Sequence, residues 1–174
     1  MPKIIDGLRE AILCAARERL LSDGYGAFTV RDLARDCGVS VGTIYDYYPS
    51  KNALLVYAIS GDWREVLENA KSRAYPSAHE AMEALYDSIS SFVARYRSAL
   101  SQYAVKPEDA SDFIRGRRQL SGQLAAVVAM LLRPFREVDD PELCQFIANA
   151  LLSFALYGDC SYARLAPFIQ KLLG

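Results

Sequence analysis

The chain has 174 residues, 52% hydrophobic and 24% charged, and a formal net charge of −1, which gives enough apolar surface to bury a sizeable core as one unit or as a small head with a larger body. Residues 1–60 carry seven Lys/Arg and seven Asp/Glu, so the chain lacks the general basic footprint of a nucleic-acid binder, and any such partner has to be recognised by the arrangement of a motif. No signal peptide follows Met1, the apolar runs Leu124–Leu132 and Phe146–Tyr157 are too short to span a bilayer, and a cytoplasmic protein is expected.

The cysteines, Cys14, Cys37, Cys144 and Cys160, show no metal-ligand spacing, and His79 is the sole histidine. No metal site is expected, and the thiols read as reduced core residues, with Cys160 beside Asp159 the first candidate for a redox switch. No catalytic triad or phosphate-binding glycine loop is present, so no enzymatic activity and no cofactor are expected.

Asp6 to Asp23 reads as a first helix, with Leu8, Ile12, Ala15, Ala16 and Leu20 as its apolar stripe and Gly24 as its end. Thr29 can cap a second helix in a capping-box arrangement with Asp32, with Leu33, Ala34 and Cys37 on one face. Gly38 supplies the left-handed residue that ends it. Ser40 caps a third helix, Val41 to Tyr47, and Pro49 stops it. Two short helices around a glycine-containing turn are helix-turn-helix grammar, in which the second helix is free to enter a groove. Its outer face fits a phosphate-rich partner. Gly42 allows close backbone approach, Val41 offers methyl groups, Thr43, Tyr45 and Tyr47 supply hydroxyls, and Lys51 stands at the amino end of the next helix.

Ser50 caps a fourth helix running to about Ala74, with Gly61 as a bend. Ser77 and Glu80 form a second capping box before a helix carrying Ala81, Leu85, Ile89, Phe92, Val93, Tyr96 and Leu100 on one face. Lys106-Pro107-Glu108-Asp109 marks the next start, and helical pattern continues to Arg133 with Gly116 and Gly122 as breaks. Asp140 caps a helix that begins with Pro141 and ends at Gly158, and Ser161 begins the last, which reaches Leu173 with Pro167 as a kink. No strand pattern of useful length occurs, so the chain is expected to be all-α with about nine helices, a DNA-binding domain over 1–50 and a helical body over 51–174. The helix from Asp140 to Gly158 is apolar nearly all round, which fits either a second copy of the chain as its partner or a central core helix in a monomer.

Ile12-Leu13 with Ala15-Ala16, Gly24-Tyr25, Thr29-Val-Arg-Asp-Leu-Ala34, Gly38-Val-Ser-Val-Gly-Thr-Ile-Tyr45 and Tyr47-Tyr-Pro-Ser-Lys51-Asn-Ala-Leu54 resemble the DNA-binding domain of TetR-type transcriptional regulators. The resemblance covers roughly residues 8 to 58 and joins its motifs in the right order. It implies a regulator, expected to be a repressor, that binds a palindromic operator as a homodimer and is released by a small-molecule effector. It also implies base contacts from Arg31, Val41, Gly42 and Asp46, and phosphate contacts from Thr29, Ser40, Thr43, Tyr45, Tyr47 and Lys51. Asp46 departs from a comfortable pattern, because a carboxylate near DNA is repelled unless it accepts from cytosine or pairs with a cation. The dimer interface is expected at Phe146, Ile147, Ala150, Leu151, Phe154 and Phe168, and an effector pocket at Tyr86, Phe92, Tyr96, Tyr103, Phe113 and Gln119, although aromatics at helical spacing serve equally as core. The competing reading is a helical protein-interaction module that uses the helix-turn-helix only as scaffold.

Overall fold

The computed structural model describes residues 7–103, 110–135, 140–158 and 161–173, with side chains described for these except 98–103 and 110–117. The described residues form helices and no strand: α1 (Leu8–Ser22), α2 (Gly24–Ala27), α3 (Val30–Asp36), α4 (Val41–Tyr47), α5 (Lys51–Lys71), α6 (Ala78–Tyr103), α7 (Ala110–Leu132), α8 (Pro141–Tyr157) and α9 (Tyr162–Leu173). The all-α expectation holds. Among the described residues no helix is long and apolar enough to cross a membrane, and no cluster of His, Cys, Asp and Glu is placed to hold a metal ion.

Two compact units divide the chain, Met1–Asp62 with Ser98–Ala110, and Trp63–Arg97 with Ser111–Gly174. The first is called the head below. Its core is built from Ile12 and Ala16 of α1, Leu33 and Ala34 of α3, Ile44 of α4, Tyr48, and Leu54 and Ala58 of α5. The division falls after Asp62, inside α5, because the first turns of that helix are needed to close the head core. The same helix carries Trp63 and Leu67, which are buried in the second unit.

The second unit has its own core, with Leu85 and Ile89 of α6, Leu124 and Val128 of α7, Ile147 and Leu151 of α8, and Leu165 and Ile169 of α9 all buried. Buried α8 residues recur as Cys144, Ile147, Ala148, Leu151, Leu152 and Ala155, a single helical face. Ser121, buried on α7, donates to Asn149 at 2.5 Å and accepts from Gln145, so its hydroxyl is satisfied by two α8 side chains.

Several local expectations change. Gly24 does not simply end α1: Asp23 is the cap, and Gly24, at φ 77°, opens the four-residue turn α2. Gly61, Gly116 and Gly122 lie inside unbroken helices. A helical glycine costs only about 1 kcal/mol relative to alanine, less than the packing of a long helix returns. Helix α5 stops at Lys71, three residues short of the expected Ala74. The expected helix start at 106–109, and Cys160, lie outside the described residues.

Candidate nucleic-acid interface

Each short helix of the turn motif is held at its start by its own cap. Thr29 Oγ1 accepts from Asp32 N at 3.2 Å and donates to Asp32 Oδ2 at 2.7 Å. Ser40 Oγ accepts from Thr43 N at 3.0 Å and lies 2.9 Å from Thr43 Oγ1. Between them Gly38 adopts φ 65°, a conformation that costs a side-chain-bearing residue about 1–2 kcal/mol, and Val39 N returns to Ala34 O at 2.9 Å. Leu33 from α3 and Ile44 from α4 are buried under this turn, which fixes which face of α4 is left outside.

That outer face carries the residues expected there. Ser40, Gly42, Tyr45 and Asp46 are exposed, and Val41, Thr43 and Tyr47 are half-buried. Arg31, on the first turn of α3, is exposed and makes no ion pair with any described residue. Asp46 also has no ion-pair partner among the described residues, so a neighbouring cation does not neutralise it.

Lys51 is placed differently from a lysine extended into solvent. Its Nζ donates to Tyr25 O at 2.5 Å and Phe28 O at 2.8 Å, and stands 4.4 Å and 4.7 Å from the centroids of those two rings. At least two of its donors are therefore engaged by backbone carbonyls, and its charge ties the start of α5 to the segment that leads into α3. Asn52 Oδ1 accepts from the Tyr25 hydroxyl and adds to the same joint. Sequence reasoning missed this role because the carbonyls it serves lie more than twenty residues earlier, with no local pattern to announce them.

The acids of the head are largely paired. Arg19 binds Asp36 and lies 3.2 Å from Asp23, Arg35 lies 2.6 Å from Asp32, and Arg17 lies 2.8 Å from the buried Asp62. Hydrogen bonding from Thr29, with the Arg35 charge, holds the Asp32 carboxyl below its ordinary range. Hydrogen bonding from Arg19, with its charge, does the same for Asp36. Burial, with the Asp36 charge, pushes the thiol of the half-buried Cys37 up.

In the second unit, Phe92 and Tyr96 are buried with ring centroids 5.2 Å apart, and Phe92 also meets Trp63 at 5.2 Å. Tyr86 is buried 5.8 Å from the ring of Tyr162, whose hydroxyl pKa burial raises to about 12. Gln119 is exposed, and the side chains of Tyr103 and Phe113 lie outside the described ones. Of the residues expected at a dimer interface, Ile147 and Leu151 are fully buried within the chain, Ala150 and Phe154 are half-buried, and Phe146 and Phe168 are 59% and 63% exposed. Helix α8 is thus not buried on every side: its own chain covers one face and leaves Phe146 and Tyr157 in the open.

Comparison with known proteins agrees with this geometry. Residues 12–58 match the family of bacterial regulatory proteins, tetR family. Over 75 residues the chain is 33% identical to YvdT, an uncharacterized HTH-type transcriptional regulator of Bacillus subtilis (strain 168), a match covering 43% of this chain and 39% of that one. It is 32% identical over 81 residues to the HTH-type transcriptional repressor KstR of Rhodococcus jostii (strain RHA1), covering 47% and 38%. The matched stretch therefore spans about two fifths of these relatives' length. At the level of fold the likeness extends to nearly the whole chain: a Rhodococcus sp. protein assigned to the TetR family superposes with a TM-score of 0.65 at 19% identity, covering 98% of this chain and 100% of that one.

The Thr29–Asp32 cap makes a pH-dependent prediction. Because the folded-state pKa of Asp32 is lowered, its contribution to stability is present above the unfolded carboxylate value of about 4 and is lost as pH falls through the lower folded value. Thr29→Val removes the largest cause of that shift. Denaturation of the variant and the parent should differ most near pH 7 and converge partly below about pH 4, whereas a gap constant with pH would exclude the carboxylate's part in the cap.

Proposed function

We propose, from a tetR-family head at residues 12–58 on a chain that has the fold of TetR-family regulators, that this protein is a sequence-specific DNA-binding transcriptional regulator. The observation that carries the reading is the outer face of α4. It is capped, held from beneath by Ile44, and presents Gly42, Tyr45 and Asp46 to solvent. On this reading α4 enters a major groove, with Val41 and Gly42 against base edges and Asp46 accepting from cytosine N4. Arg31 reaches guanine from α3. The hydroxyls of Thr29, Ser40, Thr43, Tyr45 and Tyr47 hold phosphates, and Lys51 contributes its charge from the joint it already occupies. On this reading the DNA-binding helices lie within 1–50, as expected, and the first turns of α5, which the expectation gave to the body over 51–174, complete the core of the head.

The same reading makes the protein a homodimer and, like KstR by its name, a repressor. Helices α8 and α9 pack on each other and expose Phe146, Tyr157, Phe168 and Leu172, an apolar surface that a second copy would cover. Two heads would then meet half-sites about one helical turn apart on a palindromic operator. Because α5 supplies Leu54 and Ala58 to the head core and Trp63 and Leu67 to the second unit, a small molecule bound among the body aromatics would act on the heads through this helix. Tyr86, Phe92, Tyr96, Tyr103, Phe113 and Gln119 are the residues proposed for that pocket.

Selection of random duplexes by the purified chain at near-physiological salt tests the central claim. A recovered palindrome with half-sites about a turn apart is the expected result, and recovery of no preferred sequence by folded protein, with or without cell extract, would favour the interaction-module reading. On the recovered operator, Arg31→Ala should cost about 1–3 kcal/mol and relax preference at one base pair, whereas equal weakening on all sequences would remove its base-reading role. Substituting Phe146 and Phe168 together by Glu should yield a monomer in sedimentation with weakened operator binding, and an unchanged dimer would place the interface elsewhere.

A further inference from the structure

We infer that Arg9, outside the helix-turn-helix, is a further phosphate anchor of the head, held by Tyr57 and by Tyr48, the residue that ends α4; this rests on the reading of the head as a DNA-binding unit. The inference begins with where the cations of the described head go. Arg17, Arg19 and Arg35 are each committed to a carboxylate, and Lys51 is held by carbonyls. Arg9 and Arg31 are the described head guanidinium groups with no carboxylate ion pair. Arg31 belongs to the turn motif itself, which leaves Arg9 without a role.

Its surroundings suggest one. Arg9 lies in the first turn of α1 and is exposed, with its guanidinium carbon 5.9 Å from the centroid of the Tyr57 ring. Tyr48, the residue that ends α4, donates its hydroxyl to Arg9 O at 3.4 Å. The Tyr48 ring is 5.4 Å from that of Tyr57 and 6.4 Å from that of Tyr47. A continuous set of rings thus leads from the last turn of the recognition helix to the Arg9 guanidinium. The Tyr48 hydroxyl also engages the guanidinium and the Tyr57 face restrains the long side chain, so the exposed group is held in place and its remaining N–H groups can meet a phosphate. The adjacent Glu10 is exposed and makes no ion pair with Arg9, so it does not occupy that edge. Arg9 thus adds a guanidinium without a carboxylate partner, joined through Tyr48 to the end of the helix proposed to enter the groove.

The test is the salt dependence of operator affinity for the full chain, its Arg9→Gln and Arg9→Lys variants, and Tyr57→Leu. Arg9→Gln should weaken binding to the operator and to a scrambled duplex by the same factor, roughly three- to tenfold, and reduce the slope of log affinity against log salt by about 0.9 per bound head. Arg9→Lys should restore the slope. Tyr57→Leu should weaken binding while keeping the slope, because it frees the cation without removing it. If the wild-type chain selects an operator but Arg9→Gln leaves the slope unchanged, this inference fails and the regulator reading stands. If Arg9→Gln weakens the operator alone, Arg9 reads bases and the phosphate role is overturned. If the wild-type chain shows no salt-dependent affinity for any duplex, both fall. Melting temperatures of the variants, expected within a few degrees of wild type for this exposed residue, exclude unfolding as the cause.

Discussion

A seven-residue helix has no stability of its own in water, and α4 is such a helix. It exists because Ile44 is buried in the head core, because Ser40 caps its first turn, and because Gly38 lets the chain leave α3 at the angle that brings Val39 back over Ala34. Everything proposed for the outer face of α4 depends on this inner anchorage. The residue that carries the helix is one that no DNA could touch, and the residues that would touch DNA are positioned by it rather than by one another. The cost of ordering so short an element is offset by a core that also recruits Ile12, Tyr48 and Leu54 from three other segments.

The electrostatics follow the same division between anchoring and presenting. A segment such as 1–60, with as many acids as bases, is a poor match to a polyanion if its charges are spread at random. Here three of the head's arginines are answered by carboxylates within it: Arg19 by Asp36, Arg35 by Asp32, and Arg17 by Asp62. These pairs join α1 to α3 and α1 to α5 or brace a helix internally. Lys51 works in a similar way, since its ammonium joins α5 to the carbonyls of Tyr25 and Phe28. Charge used to hold the head together is not available to a partner, so the proposed contact of α4 with DNA would rely on hydroxyls, backbone N–H groups and the guanidinium groups of Arg9 and Arg31. An interface of the proposed kind would draw more of its affinity from geometry and less from counterion release.

The second unit shows what an apolar helix can conceal. Helix α8 is rich in apolar residues on all sides, yet it meets two environments. Cys144, Ile147, Leu151 and Ala155 face the interior of its own chain, while Phe146 and Tyr157, the latter 77% exposed, do not. Ser121 with Gln145 and Asn149 sets the pairing of α7 against α8 through hydrogen bonds that only one register satisfies. Among the aromatics of this unit, Trp63, Phe92 and Tyr96 are engaged ring to ring, so their spacing on the sequence reflects packing whatever else they do.

The sequence by itself determined the all-helical class, the caps at Thr29, Ser40, Ser77 and Asp140, the left-handed glycine at 38, the end of α8 at Gly158, and the bounds of α4. These are legible because they depend on residues within a few positions of one another, where side-chain and backbone geometry leave few options. Tertiary structure alone decided that Gly61, Gly116 and Gly122 stay within their helices, that α5 divides between two cores, and that Ile147 turns inward while Phe146 turns outward. It also decided the fate of the charges. Nothing local distinguishes Arg9, which has no ion pair among the described residues, from Arg17, whose partner Asp62 is 45 residues away. Long-range pairing depends on which helix faces meet, and that is settled by the burial of apolar surface over the whole unit, a sum that no short stretch of sequence contains.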